Sequence, residues 1–134
     1  MNQFYPVNLD EIRDSESKLG IQIPELLKEF YVEVGYGFLK SKVDNINRIM
    51  DPESVLDFRL RQYDFEFYPD IEIYNQFEDD KLVFFEANEV ALLSIGFAAE
   101  NKGKIYYYDK EIAPNLVEFL ELLMEDDTFY YDLI

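Results

Sequence analysis

A chain of 134 residues is long enough for one domain with its own core, and a hydrophobic content of 49% with 17% aromatics excludes disorder as its ground state. Twenty-nine acidic residues against 12 basic ones leave a formal charge of −17, which repels nucleic acid and anionic lipid and attracts basic proteins or cations. Cys and His are both absent, so disulfides, thiol chemistry and the commonest general base and metal ligand are excluded.

No apolar run reaches the 18 or so residues of a membrane span. The N-terminus, MNQFYPVNLDEI, has no basic region followed by an apolar run, so no signal peptide is expected and the simplest location is cytoplasmic. Residues 1–7 read as a short lead-in. Asn8 is a good helix N-cap, with Asp10 and Glu11 in the first turn, where the helix dipole favours negative charge. Leu9, Ile12 and Leu19 form a thin apolar stripe that Gly20 ends, which predicts a helix lying on the domain surface.

The stretch QIPELLKEFYVEVGYGFL, residues 22–39, organises the rest. Pro24 occupies a first helical position, and Leu26, Leu27, Phe30, Tyr31 and Val34 recur on one helical face. Gly35 and Gly37 stop the run, and Phe38 and Leu39 begin a short buried strand. The following KSKVDNINRIM is the most basic part of the chain, through Lys40, Lys42 and Arg48. Asn45 and Asn47 suggest a turn, with a short strand around Ile46, Ile49 and Met50. Asp51 as N-cap, Pro52 at the first position and Glu53 behind it make a strong helix start. Val55, Leu56, Leu60, Tyr63 and Phe67 continue its face, so the helix is expected to run on until Pro69 breaks it.

Residues 62–80 mix seven acids with six aromatics and hold no Lys or Arg. DFEF and IEIY alternate with a period of two, so strand and helix readings both fit. The second half reads as sheet: LVFFE (82–86), VALLSIGF (90–97) and KIYYYD (104–109), the middle one too uniformly apolar for anything but a central strand. AAENKG (98–103) is a hairpin connection. Pro114 opens a final helix with Leu116, Phe119, Leu120, Leu123 and Met124 on one face and Glu118, Glu121 and Glu125 on the other. The acidic and aromatic tail DDTFYYDLI is placed back against the domain. Leu27, Phe30, Leu93, Ile95, Phe119 and Leu123 are the expected core.

The order of these pieces resembles the SUKH superfamily, whose fungal members include the Smi–Knr type cell-wall regulators. Four segments carry the resemblance: IPELLKEFYVEVGYGF, INRIMDPESVLDF, ALLSIGFAAENKGKIYYYD and IAPNLVEFLELL. They span most of residues 9–125. The chain departs from the family pattern after Gly96, where Phe-Ala-Ala replaces a more polar, Gly-rich turn, and residues 62–80 have no counterpart that aligns. The resemblance implies a single α+β domain over residues 1–134, with a central antiparallel sheet and helices packed around it. Pro24, Phe30, Gly37 and Gly96 match its motif positions as structural residues, and no catalytic residue comes with it. Bacterial members are mostly immunity proteins that bind and neutralise a toxin, commonly a nuclease, so the resemblance implies a protein toxin as partner; a non-catalytic adaptor or scaffold role is the alternative.

Carboxylates are the only abundant reactive groups, and no motif marks a pair of them as a glycosidase couple. Glu78, Asp79 and Asp80 do not fit the EF-hand spacing, and a solvated loop accounts for them. GYGF at 35–38 follows a helix instead of opening one, so it is no phosphate cradle. Tyr106 to Tyr108 offer stacking faces, but the net charge opposes nucleic acid and a sheet strand explains them. No enzymatic activity, cofactor, metal or membrane partner is expected, and nothing in the sequence sets an oligomeric state. Clustered acids imitate a row of phosphates to a basic cleft, and aromatics make interface anchors. The expected partner-binding residues are therefore Tyr68, Asp70, Glu72, Tyr74, Phe77, Glu78, Asp79 and Asp80, with the three aromatics as anchors and the acids as a rim facing Lys and Arg of a basic toxin.

Overall fold

The computed structural model describes residues 3–39, 47–67, 71–87, 91–126 and 129–130. Its frame is a seven-stranded, wholly antiparallel sheet in which spatial order equals chain order: β1 (Gln3–Tyr5), β2 (Tyr36–Leu39), β3 (Asn47–Ile49), β4 (Lys81–Ala87), β5 (Ala91–Gly96), β6 (Ile105–Tyr107) and β7 (Lys110–Ala113). Helices α1 (Leu9–Leu19) and α2 (Glu25–Glu33) fill the β1–β2 connection, α3 (Pro52–Leu60) follows β3, and α4 (Leu116–Glu125) follows β7. The α+β architecture expected from the sequence is the one observed.

Strand register assigns the side chains to faces. Gly37, Ile49, Phe85 and Leu93 lie in one row across β2 to β5, while Phe38, Arg48, Glu86 and Leu92 lie in the next row on the opposite face. The first face is covered by α2 and α4. Phe30 of α2 meets Phe4 edge-on at 5.8 Å, and Phe119 of α4 meets Phe85 at 5.1 Å. An irregularity between Val83 and Phe85 inserts Phe84 into β4, so two consecutive rings reach Phe119 instead of pointing to opposite faces. The second face is covered from α3, whose N-terminal Asp51 and Ser54 take Arg48, and α1 packs alongside α3. With cover on both sides, β5 is buried at every position, as its uniform apolar run predicts.

Helices α1 and α3 start at their expected caps, while Pro24 and Pro114 lie before the first helical positions of α2 and α4. Asn8 and Asp51 accept from Glu11 N and Ser54 N, and Gly20 takes the left-handed conformation that ends α1. Asn115, one residue past Pro114, caps α4. Gly35 is required by close approach: it adopts φ +115° and a Cβ there would collide with the Tyr5 carbonyl of β1. Gly96 is required in the same way by the buried Asn101 of the hairpin loop, which accepts from Ala98 N and donates to the Asp80 carbonyl.

Several expectations change. The lead-in contains edge strand β1, and β7 is a further strand; at three and four residues both are too short to show a period. Gly37 lies inside β2 and does not end α2. Helix α3 stops at Leu60 well before Pro69, because Arg61 turns left-handed at φ 56° and Tyr63 does so again at φ 54°. Residues Tyr63–Phe65 and Ile71–Phe77 form short 3-10 turns, which resolves the strand-or-helix ambiguity in favour of neither. Leu27, Leu93, Ile95, Phe119 and Leu123 are core as expected, but Phe30 is only half-buried. Its neighbour Tyr31 is the fully enclosed aromatic of α2, donating its hydroxyl to the Met50 carbonyl at 2.5 Å. Of the tail, Tyr130 packs back on the domain: it is buried and donates to Asn47 Oδ1 at 2.7 Å. Lys40, Lys42 and Asn45 lie outside the described residues.

Candidate functional site

The acidic and aromatic segment proves to be two things at once. Tyr68 and Asp70 lie outside the described residues. Glu72 and Asp79 are exposed, and Asp80 is half-exposed with its carboxylate 2.8 Å from Lys81 Nζ. Tyr74 is a correction: it is 6% exposed, lies edge-on to Phe58 at 5.7 Å and stacks on Tyr108 at 5.5 Å, so it fills the interior and offers no anchor. Phe77 is half-buried against the same Tyr108 ring. Glu78 is a second correction. It is buried, and its carboxylate is held by Arg61, with Arg59 at 3.9 Å, so it belongs to a structural ion cluster and not to an exposed rim.

The partners of Glu78 come from the end of α3. Arg59 also donates to the Lys81 carbonyl at 3.0 Å, and Arg61 to Asn75 Oδ1 at 2.7 Å and the Phe58 carbonyl at 2.7 Å. Both guanidiniums lie over rings, Arg59 over Phe97 and Arg61 over Phe58. Burial lowers the pKa of Arg59, and the carboxylate of Glu78 opposes that shift. The segment that holds no basic residue of its own is thus tied down by two arginines preceding it, a pairing foreshadowed only by the RLR spacing at the helix end.

The more open acidic surface lies elsewhere. A groove of about 700 Å3 runs between α1 and α3. Glu11 and Asp14 stand on its α1 side and Asp51, Glu53 and Asp57 on its α3 side, five carboxylates facing the single Lys18. Some of this charge is engaged: Asp14 pairs with Lys18 at 3.1 Å, Asp51 with Arg48 at 3.5 Å, and Asp57 accepts from Gln62. Apolar groups interrupt the charge. Leu56, Leu60, Tyr36 and Tyr63 line the same groove, and Tyr63 is 75% exposed. Tyr36 continues the groove onto the sheet, where Tyr5 pairs with it in register and packs against it at 5.6 Å, and Phe38 follows on the same face. Tyr5 and Phe38 are both exposed. Helical spacing could place these acids on α1 and α3, but nothing in the sequence says that the two helices lie side by side.

Across residues 9–120 the chain matches the family model described as SUKH_6, SMI1-KNR4 cell-wall. The chain belongs to this family. The SUKH assignment agrees with the order of elements, from the Pro24 helix and its glycine turn to the closing helix α4. Among relatives, the SUKH chain is similar to "Immunity protein YxxD" of Bacillus subtilis (strain 168), at 57% identity over 133 residues, covering 99% of this chain and 90% of that protein. Among the described residues of this SUKH domain, no three acidic side chains converge as a metal site would need, and no helix is long and apolar enough to cross a membrane.

Proposed function

We propose that this protein is an immunity protein, which binds a cognate protein toxin and neutralises it without catalysis of its own. The observation that carries the reading is its 57% identity, over 99% of its length, to a relative named as an immunity protein. The charge supports it and narrows the partner. A chain at −17 accelerates encounter with a basic protein through long-range attraction, which raises association more than final affinity. The toxin class that fits is a nuclease, because a cleft built to hold phosphates also receives a row of carboxylates. Exposed Glu72 and Asp79, with Asp80 beside them, contribute to the steering field.

The test is co-expression with candidate toxin domains encoded in the same genome, read as growth, together with binding kinetics across a salt series. Growth rescue, with association that slows markedly between about 0.05 and 0.5 M salt while dissociation changes little, is the expected result. Absence of both rescue and binding would remove the reading. Rescue with salt-independent association would keep the immunity role and discard the basic toxin face.

A further inference from the structure

The groove between α1 and α3 joins two surface features that the fold engages only in part. The first is apolar. Leu60 and Tyr63 stand out from the α3 end, and Tyr36 links the groove to exposed Tyr5 and Phe38 on one sheet face. The second is charge, five carboxylates against one lysine. Tyr63 is informative in itself. Among the described residues, three that are not glycine have positive φ: Arg61, Tyr63 and Tyr108. Arg61 turns its side chain onto Glu78, and Tyr108 packs on Tyr74 and Phe77. Tyr63 holds the same disfavoured backbone with its ring in water, where glycine or asparagine would sit more easily.

We propose that this groove is the docking site for an arginine- and lysine-rich segment of the toxin, an inference that rests on the immunity reading above. Separate carboxylates along two walls suit several separate side-chain cations, and a guanidinium gains further from the exposed ring of Tyr63. A single metal ion is the wrong occupant, since no three acids among the described residues converge. A second copy of this chain is equally unsuited, because it brings another −17 to an already negative groove. The anchors of the interface are then the exposed rings beside the acids, while Glu72 and Asp79 act only at a distance.

Two charge reversals of equal size separate docking from steering: Glu53→Lys with Asp57→Lys inside the groove, and Glu72→Lys with Asp79→Lys outside it. Tyr63→Gly removes the ring and suits the observed φ. Each variant is measured in surface kinetics against an inactivated form of the toxin domain whose toxicity the wild-type chain suppresses on co-expression. Both reversals slow association. The groove reversal and Tyr63→Gly each speed dissociation by about tenfold or more, as loss of an anchor does, and the outer reversal leaves it within about twofold. Carbodiimide coupling of the wild-type complex provides a second readout that needs no variant, with Glu53 or Asp57 joined to toxin lysines. Unchanged dissociation for Tyr63→Gly, or cross-links confined to acids outside the groove, overturns this docking site and leaves the immunity reading standing. Failure of the wild-type chain to bind the toxin at all overturns both.

Discussion

Tyr31 carries a polar group into the centre of the domain, and its neighbourhood determines what that group contributes. The hydroxyl serves the Met50 carbonyl, at the junction between β3 and α3. Tyr31→Phe should destabilise by about 1–2 kcal/mol, the usual loss for a buried acceptor left alone, measured by urea unfolding. Burial, reinforced by Asp51, raises the Tyr31 pKa above its ordinary value. A raised folded pKa gives stability that is whole below the unfolded value, near 10, and is lost as pH climbs above it. Wild type should therefore lose stability more steeply above about pH 10 than Tyr31→Phe, when unfolding is followed at a series of alkaline pH values. Tyr74→Ala belongs to the same class. It should cost about 3–5 kcal/mol of stability, the range for a buried aromatic, and a faster dissociation with unchanged melting temperature would contradict its place in the core. Residue identity was legible where periodicity pointed one way, as at Leu27 and Phe119. It failed at Phe30 and Tyr74, because an apolar face names the candidates for burial but not which ring the neighbouring elements enclose.

Among elements, the 3-10 turns Tyr63–Phe65 and Ile71–Phe77 depend on their attachment to α3. Arg61 and Arg59 converge on Glu78, and the rings of Phe58, Phe65 and Tyr74 close around the same helix end. Glu78→Gln leaves two partly buried guanidiniums without their carboxylate and should cost about 2–3 kcal/mol, with hydrogen exchange rising first at residues 71–79. Gly35→Ala should loosen the other end of the sheet: the new Cβ meets the Tyr5 carbonyl, so β1 must shift, and exchange should rise at Tyr36, Gly37 and Phe38, whose strand β1 covers. Unchanged protection of β2 in that variant would show that β1 tolerates displacement. Elements with strong local signals were readable from sequence: three capped helices, the AAENKG hairpin and the central apolar strand. The rest was not. DFEF fits strand and helix equally, and the left-handed Arg61 and Tyr63 just before it, which turn the chain out of α3, carry no periodic signal; strands of three residues exist only because a neighbour supplies their hydrogen bonds.

For the whole molecule, charge dominates. A folded chain at −17 concentrates like charges that an unfolded one spreads out, so the native state carries repulsion that counterions screen. The melting temperature should rise as salt increases from about 0.01 to 0.5 M, when the Debye length falls below about 10 Å; a fall would mean that its ion pairs, such as Arg48–Glu86, outweigh the repulsion. The acidic character was plain from composition, whereas the groove that gathers part of it depends on the packing of α1 against α3. Strand order equal to chain order has a kinetic meaning as well. Each strand finds its partner in the one made just before it, so a chain emerging from the ribosome closes only modest loops at each addition, and sheet growth keeps pace with synthesis. Contacts that reach back across the sheet, such as Tyr130 to Asn47, 83 residues upstream, and α4 to α2, form only after all seven strands have been made. Strand pairing in this sheet is therefore sequential from its first edge to its last, and the packing of the later elements against the earlier ones closes the domain.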